Sequence, residues 1–180
     1  MKRATYLIFF LLLACKSKRE QKPLESIEGI TINGEKILLD EINMANLRTS
    51  QITPWFNEEL NKINVESEWA KDLKPHTKNL KIKVFMGSWC SDSKRELPLF
   101  FKILDAMDFD HNNLRIFAMS EEKTTPSSFE KGLNILYVPT IIFFKNGNEV
   151  NRIVESPVKT LESDIEKIIR GQPYNHSYNF

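Results

Sequence analysis

Nothing in the sequence restricts the fold more than the run from Leu80 to Leu104, LKIKVFMGSWCSDSKRELPLFFKIL. Its first part, LKIKVFMG, alternates and is bulky, which predicts a buried strand ending at Gly87. From Ser91 to Leu104 the period changes to that of a helix. Leu97, Phe100, Phe101 and Leu104 make its apolar face, and Pro98 stands inside it where a proline kinks the axis. Downstream, NLRIFAMS (Asn113 to Ser120) reads as another strand, and TIIFFKNGNEVNRIV as two strands about an Asn146-Gly147 hairpin turn. VKTLESDIEKIIR, Val158 to Arg170, closes with an amphipathic helix. Strand, helix, strand, hairpin and helix together predict an α/β sandwich with a mixed sheet flanked by helices.

Upstream of this unit the signals are shorter. IEGITINGEKILL, Ile27 to Leu39, carries an Asn33-Gly34 pair and predicts an N-terminal hairpin. Thr53-Pro54 supplies a helix cap with proline at the first helical position, and Trp55, Phe56, Leu60 and Ile63 follow on one face. A second helical piece runs from Glu66 to Leu73 and ends before Pro75. Trp55, Phe56 and Trp69 are read as core residues of this extension, with a docking surface as the alternative, while Met107 and Phe109 are read as core or loop anchors. With 180 residues, 41% of them hydrophobic, the chain has room for one domain with an attachment and not for two full domains. A formal net charge of +1 gives no electrostatic reason to expect a nucleic-acid partner.

The N terminus, MKRATYLIFFLLLAC, has a basic start, an apolar stretch from Tyr6 to Leu13 and a small residue before Cys15. The apolar stretch is shorter than the roughly 20 residues of a spanning helix and suits a secretory signal. Its ending, LLAC, resembles the lipobox of bacterial lipoproteins. That resemblance implies cleavage before Cys15, acylation of its sulfur and amine, and attachment to the lipid bilayer of a bacterial envelope, with the domain facing the periplasm or the outside. The alternative is an ordinary signal peptide. The expected organisation is a signal over residues 1–14, a charged tether over 15–26, an N-terminal extension over 27–75, the main domain over 76–172 and a tail over 173–180. Acylation would leave Cys90 as the one free thiol of an exported protein, since the chain has only two cysteines.

WCSDSKRELP resembles the active-site segment of the thioredoxin superfamily, in which a tryptophan precedes the nucleophilic cysteine and a proline lies eight residues after it. YVPTIIFFKNGNEV resembles that superfamily's later signature, with a cis-proline, here Pro139, opposite the cysteine. Lys94, Glu96 and Pro98 further match the WCxxC[KR]xExP pattern of the membrane-tethered TlpA/ResA-like thioredoxins. The likeness spans about Leu80 to Arg170 and implies a thioredoxin-like fold. It also departs from the pattern. Ser93 stands where the second cysteine belongs, giving CxxS, and Val84 where thioredoxin has a strand aspartate that TlpA/ResA-like proteins often lack as well.

A thiol at a helix N terminus faces unpaired amides and the positive end of the dipole, which favour thiolate. Lys94 and Arg95 are expected to add positive potential, and Ser93 to donate a hydrogen bond to the sulfur. The resemblance implies that Cys90, Ser93 and Glu96 form the catalytic set and that Trp89, Val138 and Pro139 bind substrate. Glu96 is read either as a tuner of the Cys90 proton or as a solvated first-turn acid, and Asp92 as a helix-end residue. Three function classes follow. The first is monothiol exchange with exported protein or peptide disulfides or with small disulfides, resolved by an external reducing thiol. The second is a peptide-binding module without redox turnover. The third is a thiol peroxidase, disfavoured by Gly87 where such enzymes carry a threonine. No cofactor is called for, and His76, His111 and His176 lack metal-ligand spacing.

Overall fold

The computed structural model describes residues 21–178. Six strands form one sheet in the order β1-β2-β4-β3-β5-β6. They are β1 (Ile27–Ile30), β2 (Lys36–Ile42), β3 (Leu80–Met86), β4 (Leu114–Ala118), β5 (Thr140–Lys145) and β6 (Asn148–Val154). β3 runs parallel to β4, and the remaining neighbours are antiparallel, so the sheet is mixed as its sequence pattern requires. Among the described residues five α-helices accompany it: α1 (Met44–Thr49), α2 (Pro54–Lys62), α3 (Ser67–Leu73), α4 (Ser91–Ala106) and α5 (Leu161–Arg170).

Strand alternation divides the core in two. Ile82, Val84 and Met86 of β3 point with Ile116, Ala118, Ile141 and Phe143 toward the helices, where Phe56, Leu97, Phe100, Phe101 and Ile165 complete the larger cluster. Phe85, Phe117 and Ile142 point the other way. Among the described residues no helix covers them, and the long connection over residues 119–139 takes that part with Phe129, Leu133 and Ile135. Phe85 and Phe117, partners in the parallel register, stack with centroids 4.9 Å apart. Phe129 adds to the stack at 4.7 Å from Phe117, and the Arg115 guanidinium lies over both Phe117 and Phe129 while pairing with both oxygens of Glu41. The connection is tied by hydrogen bonds in place of a helix. Glu130 Oε2 accepts from the Thr125 amide and hydroxyl, Thr125 Oγ1 accepts from the Phe129 amide, and Arg152 donates to the Leu133 carbonyl.

Several local expectations change. α1 has no counterpart in the sequence reading: Asn43 and Asn46 cap it reciprocally, a capping box built from two asparagines where serine and glutamate are the usual pair. Thr53 precedes α2 as expected, but its hydroxyl does not cap the helix and donates instead to the Leu47 carbonyl at 2.9 Å. α5 starts at Leu161 and not at Val158, because Thr160 is the cap and the Val158 amide is drawn 2.5 Å from the Asp164 carboxylate. α4 continues to Ala106 with Pro98 inside it. Phe56 is fully buried and Trp55 and Trp69 pack half-buried on the same core, so the aromatic residues of the extension are core residues. Both hairpins form, with Gly34, Asn146 and Gly147 at the positive φ that such turns demand.

The extension reaches the end of the sheet where β3 meets α4. β2 runs antiparallel to β4 with Asp40 opposite Ala118, the last residue of β4, so the first residues of β2 extend past the end of β4. The Leu38 amide accordingly donates to Ser88 Oγ at 3.0 Å, and the Ile32 amide to Glu121 Oε2 at 2.7 Å.

Candidate active site

Met86 ends β3, and three residues, Gly87 to Trp89, carry the chain over to α4. The Cys90 amide donates back to the Gly87 carbonyl at 3.1 Å, closing a turn, and the Cys90 carbonyl accepts the first helical bond from Lys94 at 3.1 Å. Cys90 is therefore the N-cap residue of α4, in extended conformation. Its sulfur takes no bond from the first-turn amides. It donates instead to the Val138 carbonyl, 3.1 Å away across the cleft. Val138 precedes Pro139, and the peptide bond between them is cis. Only 8% of Cys90 is exposed.

Trp89 lies over this turn. Its indole N–H donates to the Met119 carbonyl at 2.9 Å and the Lys123 ammonium sits above its ring, 5.5 Å from the centroid. The ring rests so closely on Gly87 that a Cβ there would stand 2.6 Å from Trp89 Cε2. A threonine at this position, as the peroxidase reading requires, has no room. Glycine is needed here for close approach and not for its backbone freedom, since its φ is not among the positive ones.

The remaining sequence candidates divide. Trp89, Cys90, Val138 and Pro139 come together at one point. Ser93 lies beneath them, fully buried, and its hydroxyl has a different partner from the one expected: Oγ accepts from the Gly87 amide at 3.2 Å and so braces the turn that presents the thiol. Glu96 turns aside. Its side chain is 13% exposed, which excludes a solvated first-turn acid, and it pairs with Arg95 Nε at 2.7 Å. Arg95 also holds Asp92 Oδ1 at 2.6 Å and donates to Ser156 Oγ at 3.0 Å. The guanidinium expected to enrich the positive potential at Cys90 is thus matched by two carboxylates. Cys15 lies outside the described residues.

Sequence reasoning overlooked four contributors. Ser88 is 3% exposed and joins the N-terminal hairpin to the turn; a small polar residue between glycine and tryptophan carries no signal of that. Met119 matters through its carbonyl, which any residue supplies. Glu155 adopts a positive φ after β6 and its amide donates to the Pro139 carbonyl at 2.7 Å. Tyr178, in the tail, stacks on Tyr137 with centroids 4.4 Å apart. Among the described residues no three His, Cys, Asp or Glu side chains converge as metal ligands.

A family model described as thioredoxin matches residues 48–166. Thioredoxin H9 of Arabidopsis thaliana is 25% identical over 113 residues, covering 62% of this chain and 76% of its own. A thioredoxin of Staphylococcus saprophyticus is 30% identical over 84 residues, 46% of this chain and 76% of its own. Among solved structures, a Pseudomonas aeruginosa protein of unknown function aligns at a TM-score of 0.50 with 14% identity, over 73% of this chain and 81% of the other, a likeness of fold alone.

Proposed function

The chain belongs to the thioredoxin family, and on that premise we propose that it is a monothiol exchanger of the TlpA/ResA-like group, working at a bacterial envelope membrane to which an acylated Cys15 anchors it. The observation that carries the reading is the placement of Cys90 Sγ at the mouth of α4, 3.1 Å from the Val138 carbonyl. In exchange, Cys90 gives up its proton to solvent and the thiolate attacks one sulfur of a substrate disulfide. A new S–S bond joins Cys90 to that sulfur, and the other leaves as a thiolate with the electron pair of the broken bond. The Val138 carbonyl, freed of the thiol, then becomes available to the backbone of the bound polypeptide. At the second-cysteine position Ser93 supplies a hydroxyl, which cannot displace the adduct. Resolution needs an external thiolate that attacks the substrate sulfur of the mixed disulfide and bonds to it, so that Cys90 leaves as a thiolate with the electron pair of the broken bond.

One observation favours a second reading, a peptide-binding module without redox turnover. Cys90 is 92% covered and its S–H is satisfied by a carbonyl, which is how a structural thiol is accommodated. A single experiment separates the two. In cells making the full chain, exchange predicts higher-mass species on non-reducing gels that collapse with dithiothreitol and are absent in Cys90→Ser. Their absence from oxidised wild-type cells leaves the binding module. Fractionating the same cells reads the anchor: wild type enters the membrane fraction with labelled palmitate, and Cys15→Ala loses both.

A further inference from the structure

The tail after α5 is held by specific contacts and returns to the site. Gly171 ends the helix in the left-handed conformation. Tyr174 then fixes the tail twice, its hydroxyl donating to the buried Asp164 carboxylate at 3.1 Å and its carbonyl accepting from Asn151 Nδ2 at 2.9 Å. Burial, followed by the Asp164 charge, pushes the Tyr174 phenol above its ordinary range, so it stays a donor across the physiological range. From that anchor the tail runs to Tyr178, whose ring stacks on Tyr137 at an interplanar angle of 21° and whose hydroxyl donates to the Glu155 carboxylate. Tyr137 is next to Val138, the acceptor of the Cys90 thiol, and Glu155 is bonded through its amide to the Pro139 carbonyl. Tyr178 thus touches the residue before Val138 directly and is linked to Pro139 through Glu155.

The same rim leaves apolar surface in water. Leu136 is 48% and Tyr137 36% exposed immediately before Val138. Val158 is 56% exposed just beyond Ser156, which Arg95 ties to the first turn of α4. A tail serving only to staple the C terminus has no reason to build an aromatic pair here and leave its neighbours uncovered. A small thiol compound such as glutathione would leave them uncovered too. Exposed apolar groups beside a reactive atom fit a polypeptide chain laid past it.

We propose that Tyr178, stacked on Tyr137, forms a subsite that takes an aromatic or aliphatic side chain flanking the disulfide cysteine of a polypeptide substrate. The proposal rests on the exchange reading and names its substrate class. Tyr178 is on this view a specificity-determining residue supplied by the C-terminal tail, acting through contact with the substrate and not on the sulfur. Aromatic contacts of this kind add about 0.5–1.5 kcal/mol beyond area burial, which corresponds to roughly 2- to 12-fold in rate or affinity.

The test uses the full chain carrying Cys15→Ala and two short peptides whose cysteine is joined to thionitrobenzoate, one with phenylalanine and one with serine beside that cysteine. Attack by Cys90 on the peptide sulfur releases the coloured thionitrobenzoate thiolate, and the readout is the ratio of the two rates. Wild type favours the phenylalanine peptide. Tyr178→Ala lowers the ratio by about three- to tenfold, and Tyr178→Phe, which keeps the ring, preserves it. No preference in wild type, an unchanged ratio in Tyr178→Ala, or a ratio that rises when the ring is removed overturns the subsite. Failure of wild type to react with either peptide rejects exchange instead. Fluorescence anisotropy with the same peptides bearing serine for cysteine then decides the subsite: a preference lost in Tyr178→Ala supports it, and equal binding overturns it.

Discussion

Gly87→Ala is the smallest change that strikes the turn presenting the thiol. The added methyl would lie 2.6, 2.8 and 2.9 Å from Cε2, Nε1 and Cζ2 of Trp89. Carbon atoms rest at about 3.5–4.0 Å, so the indole must move by roughly 1 Å. It is poorly placed to do so. Its N–H is bonded to the Met119 carbonyl at 2.9 Å and Lys123 sits over its outer face. Overpacking of this kind costs about 1–3 kcal/mol, and the strained indole bond is a part of it worth about 0.5–1.5 kcal/mol. Chemical denaturation should therefore show Gly87→Ala destabilised by about 1–3 kcal/mol, with Tm lower by about 2–4 °C for each kcal/mol. The decisive arm is the same substitution in a Trp89→Ala background, where the three closest contacts of the methyl are gone. There it should be neutral or stabilising by about 0.4–1 kcal/mol, because alanine restricts the unfolded chain and the native φ at 87 suits it. Equal cost in both backgrounds, or no cost in wild type, would refute the claim that Trp89 dictates glycine here.

Ser93→Cys places a thiol one turn along α4 from Cys90, so mild oxidation should produce an internal disulfide and shorten the lifetime of Cys90 adducts; alkylation followed by mass measurement that finds both thiols free would count against the geometry. The Glu41 carboxyl is held below its ordinary value of 4.5 chiefly by its hydrogen bond to Arg115, and Glu166 likewise by Trp69 Nε1–H and then Arg170. Depressed folded-state values contribute stability that is fully present above about pH 4.5 and disappears as pH falls through the folded values. Unfolding followed from pH 6 downward should show that loss, and Glu41→Gln with Glu166→Gln should flatten it.

How the site was written into the sequence depends on what each contact needs. Cys90, Trp89 and Pro139 stood out through the two motifs that resemble the thioredoxin superfamily, and the Asn146-Gly147 and Asn33-Gly34 turns because a positive φ selects such residues. The larger core followed from helix and strand periodicity. α1 was overlooked because its cap is an asparagine pair in a six-residue element with little periodicity. Residues 119–139 offered no period, since they cover the second face of the sheet by scattered aromatic contacts and side-chain bonds to backbone. The role given to Ser93 changed for a related reason. Spacing at i+3 suits a bond to the sulfur, whereas the turn directs the Gly87 amide at the hydroxyl, which therefore braces the backbone. Glu96 was ambiguous while its partner was unknown, and Arg95 supplies that partner.

The central claim is that Cys90 exchanges disulfides and, without a neighbouring thiol, holds on to what it captures. The direct measurement is the intact mass of the full chain carrying Cys15→Ala, which leaves one cysteine, during incubation with glutathione disulfide and after its removal. The account predicts a single glutathione added at Cys90, persisting until dithiothreitol is supplied and absent in a chain that also carries Cys90→Ser. A wild-type Cys90 that stays unmodified in excess glutathione disulfide, while the unfolded chain reacts, would contradict it.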